Sequence, residues 1–202
     1  MKPKVLVLTL GSRERDGWVC PSLAFTLITM ARDARFETTF GNTLGLRPHD
    51  YARNFALATA RTEKPDWTIQ LDNDVAPTVS PLDLIADAPS DADVIGVRYG
   101  IAKPSSSAGL WPEGLQFVSG NYEEVPAVAG GVLCIRSTVW QKIPRGPWFQ
   151  IAIKQGSELL EWASGEDCMF CQLVRSKGMK VYVHKTPADH FHSVNLTEIA
   201  MM

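Results

Sequence analysis

The chain has 202 residues, 45% of them hydrophobic and 21% charged, with a formal net charge of −2 at pH 7. That length and apolar content suit one domain, residues 1–202, with a sizeable core. The near-neutral charge excludes a broad basic footprint for nucleic acid, and no apolar run reaches the ~20 residues of a membrane-spanning helix.

The first apolar run, residues 4–10 (KVLVLTL), reads as a buried strand ending at Gly11. Charged residues follow where a signal cleavage site would lie, so a cytoplasmic protein is expected, with Cys20, Cys134, Cys168 and Cys171 reduced. Residues 21–33 are predicted helical, with Pro21 in the first turn where its missing N–H does no harm. A strand follows at 36–40, a helix at 48–62 with Ala52, Phe55, Ala56 and Ala60 near one face, and a strand at 67–71. Next come a short helix at 81–88 and a strand at 94–99. Residues 100–120, rich in Ser, Gly and Pro, read as a loop or weak hairpin of the kind that often forms an active-site lid. A strand at 127–136 is interrupted by Gly130 and Gly131, a helix spans 166–177 up to Gly178, and a last strand spans 180–184. Continuous apolar strands alternating with helices predict an α/β/α sandwich around a mostly parallel sheet.

In such sheets ligands sit at the carboxyl ends of the strands. The run WTIQLDNDVAP ends there in Asp72 and Asp74, with Asn73 between them. Alternation along an extended strand would put both carboxylates on one face, where like charges call for a cation unless both are solvated. An oxygen-rich pair of this kind suits Mg²⁺ or Mn²⁺, which keep waters or phosphates as further ligands. Gly130-Gly131 marks either a bulge or a place where a ligand nears the backbone. Ser164-Gly165-Glu166-Asp167 reads as a helix start in which Ser164 caps and the acids suit the dipole. A rigid helix N-terminus is also a suitable mount for a general base.

Four runs occur in an order that resembles the GT-A-type glycosyltransferases: ARNFALATARTEKPDWTIQLDNDVAP, AVAGGVLCIRSTVWQKIPRGPWF, GEDCMFCQLVRSKGMKVYV and TPADHFHSVNL. The resemblance implies a Rossmann-type GT-A fold and transfer of a sugar from a nucleoside-diphosphate sugar, a UDP-sugar being the expected donor, to an unidentified acceptor hydroxyl. It implies Mn²⁺ or Mg²⁺ held by Asp74, with Asp72 on the ribose or a metal-bound water, and His190 as a further ligand with His192 as the alternate. Thr9, Leu10 and Gly11 would meet the nucleobase, and Arg53 the nucleotide or its diphosphate unless it is a solvated helix residue. Asn73, Gly130 and Gly131 would line the donor site. Asp167 would be the base, with Glu166 beside it. Acceptor choice would rest on the 100–120 loop and on Pro147-Trp148-Phe149, whose aromatic surface would stack on a sugar or another flat group. Two rival readings are a nucleotidyltransferase, although GSRERDG lacks the G-x-G-x-R order of that class, and a non-catalytic nucleotide-sugar-binding domain.

Cys168, Cys171, His184 and His190 match the spacing of a zinc finger. The order of elements is wrong for it, since the cysteines fall on a helix and Pro187 separates the histidines. These cysteines are expected to be small helix residues, at least one facing the core, and His184 to be structural.

Overall fold

A computed structural model describes residues 1–11, 19–43, 46, 49–99, 120–153 and 162–190. In chain order the elements are β1 (Lys4–Leu10), α1 (Pro21–Ala31), β2 (Glu37–Asn42), α2 (His49–Glu63), β3 (Trp67–Asp72), β4 (Val75–Pro77), α3 (Pro81–Ala86) and β5 (Ala92–Tyr99). They continue as β6 (Tyr122–Glu124), β7 (Val132–Arg136), α4 (Thr138–Lys142), β8 (Ala152–Ile153), β9 (Trp162–Ser164), α5 (Glu166–Ser176) and β10 (Lys180–His190). The lid expected over residues 100–120 falls almost wholly outside the described residues. Among those described, no helix is long and apolar enough to cross a membrane.

The main sheet has the order β2-β1-β3-β7-β5-β10-β4, with β6 also paired to β10. Strands β1, β2 and β3 are mutually parallel, as are β5 and β10, and β7 runs antiparallel between the two groups. Short β4 and β6 run against β10. Beside the sheet, β8 and β9 form a separate antiparallel pair.

Alternation along β1 explains its continuous apolar run. Val5 and Val7 enter one core with Leu23 and Met30 of α1 and Leu82, Leu84 and Ile85 of α3. Leu6 and Leu8 enter the other with Ala56 and Leu57 of α2, Trp140 of α4 and Phe170 and Val174 of α5. A sheet covered on both faces makes the α/β/α sandwich, and each fully buried Leu, Val or Phe contributes about 1.5–3 kcal/mol.

Two strand boundaries depart from expectation in ways that matter for the site. Strand β7 begins only at Val132, so Gly130 and Gly131 lie in the approach to it rather than inside it. Strand β10 runs to His190 although it contains Pro187. Its register with β5 shifts between His184 and Pro187, so the missing N–H falls where the ladder is already irregular. Beyond that irregularity Ala188, Asp189 and His190 pair with Pro77, Ala76 and Val75 of β4. The carboxyl ends of β1, β3 and β10 and the start of β7 thus share one edge of the sheet.

Candidate active site at the carboxyl edge of the sheet

Strand β3 places Thr68, Gln70 and Asp72 successively toward α2, and the last reaches the sheet edge. There Arg53 of α2 donates from Nη2 to Asp72 Oδ1 and Oδ2 at 3.0 and 3.1 Å. Its Nε donates to Glu166 Oε1 at 3.3 Å. The guanidinium is buried, with the Arg53 residue only 2% exposed, which excludes the solvated alternative. Buried Gln70 supports it from below by donating Nε2 to the Arg53 backbone oxygen at 3.4 Å. One buried cation therefore joins the end of β3 to the start of α5.

The two carboxylates of the D-x-D run are not related by strand alternation. Strand β3 ends at Asp72, and Asn73 and Asp74 form the turn into β4. The Asn73 N–H makes the last bond of the β1 ladder, to Leu10 O at 2.8 Å, and its carbonyl leaves the ladder to accept from Cys20 N–H at 3.0 Å. The Asp72 N–H donates to Gly131 O at 3.0 Å. Asp72 thus faces α2 while Asp74, partly exposed, follows the turn. Thr9 and Leu10 are buried and Gly11 is partly exposed, which leaves mainly backbone to offer a ligand at the end of β1.

Helix α5 starts one residue later than a Ser164 cap requires. Ser164 ends β9 and Gly165, which has no side chain, is the N-cap, so the expected Ser164 cap is overturned. Asp167 instead turns toward β7. Its Oδ2 accepts from Gly130 N–H at 3.0 Å and its Oδ1 from Cys168 N–H at 2.8 Å. Arg53, Asp72, Glu166, Asp167 and Gly130 are thereby brought together.

Gly130 is required sterically. A Cβ there would lie 2.4 Å from Arg53 Nη2 and 2.8 Å from Cζ. Because Asp72 and Glu166 hold the guanidinium, it cannot swing aside without losing buried ion pairs. Gly130→Ala is expected to destabilise the protein by about 1–3 kcal/mol, the usual cost of overpacking. Urea denaturation checks this, and an unchanged midpoint would show that the approach is looser than the geometry implies.

The Trp148 and Phe149 surface expected to meet an acceptor is not exposed. Trp148 is 5% exposed and donates Nε1 to Ile143 O at 2.8 Å. Phe149, fully buried, stacks on Phe170 of α5 with centroids 4.2 Å apart. Local sequence signalled neither the burial nor the partner that anchors the segment, Asn54 of α2. The Asn54 Oδ1 accepts from Trp148 N–H at 2.7 Å and Phe149 N–H at 3.0 Å, and its Nδ2 donates to Phe149 O at 2.7 Å.

His190 pairs through its backbone with Val75, beside the Asp74 turn, while His192 lies outside the described residues. His184 sits elsewhere, buried edge-on to the Tyr122 ring, with Nδ1 accepting from Thr186 N–H at 3.1 Å. Burial holds its pKa below the usual value, and nearby Lys185 adds to the shift. Cys171 faces the core, where burial pushes its thiol up to about 12, and Cys168 is only partly buried. Both cysteines lie on α5, whereas a zinc finger carries its cysteines on a hairpin. Across the sheet, an open groove of about 750 Å³ lies between α1 and the β4–α3 segment. Its carboxylate, Asp83, is paired with Arg35.

No family model and no curated protein matches the chain. Several solved structures do. The A197 protein from STIV superposes with a TM-score of 0.64 at 19% identity, covering 96% of this chain and 87% of that one. A Drosophila β-1,4-galactosyltransferase 7 variant, solved with manganese, UDP-Gal and xylobiose, gives 0.50 at 13% identity over 98% and 80% of the two chains. GalNAc-T7, solved with UDP, GalNAc and Mn²⁺, gives 0.50 at 11% identity over 95% of this chain and 44% of its own. At such identities the likeness is one of fold: the chain has a GT-A fold, shared with the two glycosyltransferases.

Proposed function

We propose that the protein is a divalent-metal-dependent glycosyltransferase that moves a sugar from a nucleoside-diphosphate sugar, a UDP-sugar by preference, to an acceptor hydroxyl. The observation that carries this reading is the cluster at the carboxyl edge, where buried Arg53 joins Asp72 to Glu166 and Asp167 binds Gly130 N–H. The fold and the complexes of its structural neighbours support the same reading.

The donor set near the Asp74 turn fits Mn²⁺ or Mg²⁺. Asp72 engages both oxygens with Arg53, so the metal role falls first on Asp74, with Asp72 as a bridge to the ribose or a metal-bound water. Strand β10 brings the chain at His190 to the same turn, with His192 as the alternate ligand. Among the described residues no three His, Cys, Asp or Glu side chains form a metal-holding group. One or two carboxylates with an imidazole leave coordination positions for phosphate oxygens, as hard divalent ions at phosphate sites require. When bound, the ion supplies positive charge that offsets the charge of a departing diphosphate.

The chain's own residues do the rest. Thr9, Leu10 and Gly11 offer backbone to the base, and Asn73, Gly130 and Gly131 border the donor. Asp167 takes the proton from the acceptor hydroxyl as its oxygen attacks the anomeric carbon, and the bond from that carbon to the diphosphate breaks. Glu166, held by Arg53, fixes the first turn of the helix that carries Asp167.

A thermal-shift titration tests the donor half. UDP at a hundredfold excess over Kd is expected to stabilise the protein by about 2.7 kcal/mol when Mn²⁺ or Mg²⁺ is present. Equal stabilisation in excess chelator would remove the metal bridge from the proposal. Sugar release from a panel of UDP-sugars in the same buffer tests turnover.

A further inference from the structure

We propose that Asn54 is a positioning residue for the transfer step, acting through Phe149 on the helix that carries Asp167; the inference rests on the glycosyltransferase reading. An asparagine amide has two N–H donors and an oxygen with two acceptor sites. Asn54 uses them all. Its Nδ2 donates to Asp50 O and Phe149 O, both at 2.7 Å, and its Oδ1 accepts from Trp148 N–H and Phe149 N–H at 2.7 and 3.0 Å. A side chain thus does for residues 148–149 what a neighbouring strand would do, and ties that backbone to α2.

What the tie carries is the Phe149 ring. It stacks on Phe170 at 4.2 Å with an interplanar angle of 16°, and the Arg53 guanidinium carbon lies 6.0 Å from its centroid. Phe170 is one helical turn beyond Glu166 and so lies on the same side of α5. The spacing between α2 and α5 is therefore set twice: by the Asn54–Phe149–Phe170 contact, and by the Arg53–Glu166 ion pair at 3.3 Å. The backbone of Asp72 and Asp74 does not depend on that spacing, since β3 and the Asn73 bonds hold it to the sheet, and Arg53 reaches the Asp72 carboxylate from α2. Loosening Asn54 should therefore disturb Asp167 while sparing the nucleotide site.

The test uses Asn54→Asp, which keeps the shape and the acceptor oxygen but turns Nδ2 into an oxygen facing two carbonyls. Displacing a reacting group by about an ångström costs up to roughly a hundredfold in rate, so kcat is expected to fall about ten- to a hundredfold. Affinity for UDP with Mn²⁺ should stay within about threefold, because the groups that bind it are held elsewhere. Phe149→Leu, which removes the stack and keeps the Asn54 bonds, should give the same split. A second readout needs no turnover: hydrogen exchange at the Gly130 amide, which donates to Asp167 Oδ2 at 3.0 Å. Its protection should drop about tenfold in Asn54→Asp while the β7 amides keep theirs, whereas a general loss of stability would lower both together. Wild-type protein that transfers no sugar would count against the glycosyltransferase reading, and the Gly130 exchange would then decide the positioning role alone. Unchanged kcat with unchanged Gly130 protection in a folded variant overturns the proposal, as does a fall in UDP affinity that matches the fall in rate.

Discussion

Replacing Arg53 with methionine is expected to destabilise the protein by about 3–5 kcal/mol, the range for removing one partner of a buried ion pair. The size follows from what remains. Asp72 and Glu166 are 24% and 17% exposed in their side chains, and both direct oxygens at the guanidinium. Without it, two partly desolvated carboxylates in a space lined by Gly130 and the Phe149 ring lose the cation that joins them. Methionine fills much of the volume, so a large loss would reflect charge rather than a cavity. Arg53→Lys should recover only part of the stability, because an ammonium cannot reproduce the fork that engages Asp72 and Glu166 at once. Urea unfolding of both variants is the measurement. A cost below about 1 kcal/mol for Arg53→Met, the level of exposed salt bridges, would mean that solvent already screens the pair.

The same residue shows how far the sequence could be read. Its place on an amphipathic helix leading to a D-x-D strand end was legible, as was the sandwich itself, because the periods of α2 and β1 match the faces they bury. The burial of Arg53 was not, since it depends on Glu166, distant in sequence, and on the bare Cα of Gly130. The alternation rule carried Asp72 to the correct face but failed at Asp74. The chain has left the ladder there, after the Asn73 carbonyl bonds Cys20 N–H instead of a neighbouring strand. Trp148 and Phe149 are expected from sequence to offer an aromatic surface to the acceptor, and it is contacts with Asn54, 95 positions before Phe149, and with Phe170 that make them core. The last strand is expected from sequence to end at His184, yet β10 continues through Pro187 to His190 by shifting register. Each miss involves a long-range contact, and each concerns the edge where the candidate site lies.

Asp167→Asn separates chemistry from architecture most sharply. If Asp167 is the general base, transfer should fall about 10²–10⁴-fold, because an amide cannot accept the acceptor proton. The structural cost differs from that of a helix cap, where asparagine would serve nearly as well. Gly165 is the cap, and both Asp167 oxygens accept backbone N–H bonds, from Gly130 and from Cys168. Asparagine keeps one of these acceptors and sets an NH₂ against the other donor, which should cost about 1–3 kcal/mol. The two effects are resolved by measuring kcat, the unfolding midpoint and metal-dependent UDP affinity on one preparation. A base gives a large loss of kcat with UDP affinity kept, since the nucleotide is assigned to β1 and to the Asp72–Asp74 turn. A purely architectural Asp167 gives the drop in midpoint with kcat retained, and that result would move the search for the base to Glu166. Glu166 would then have to release Arg53 during turnover, because its Oε1 accepts from the guanidinium in the resting site.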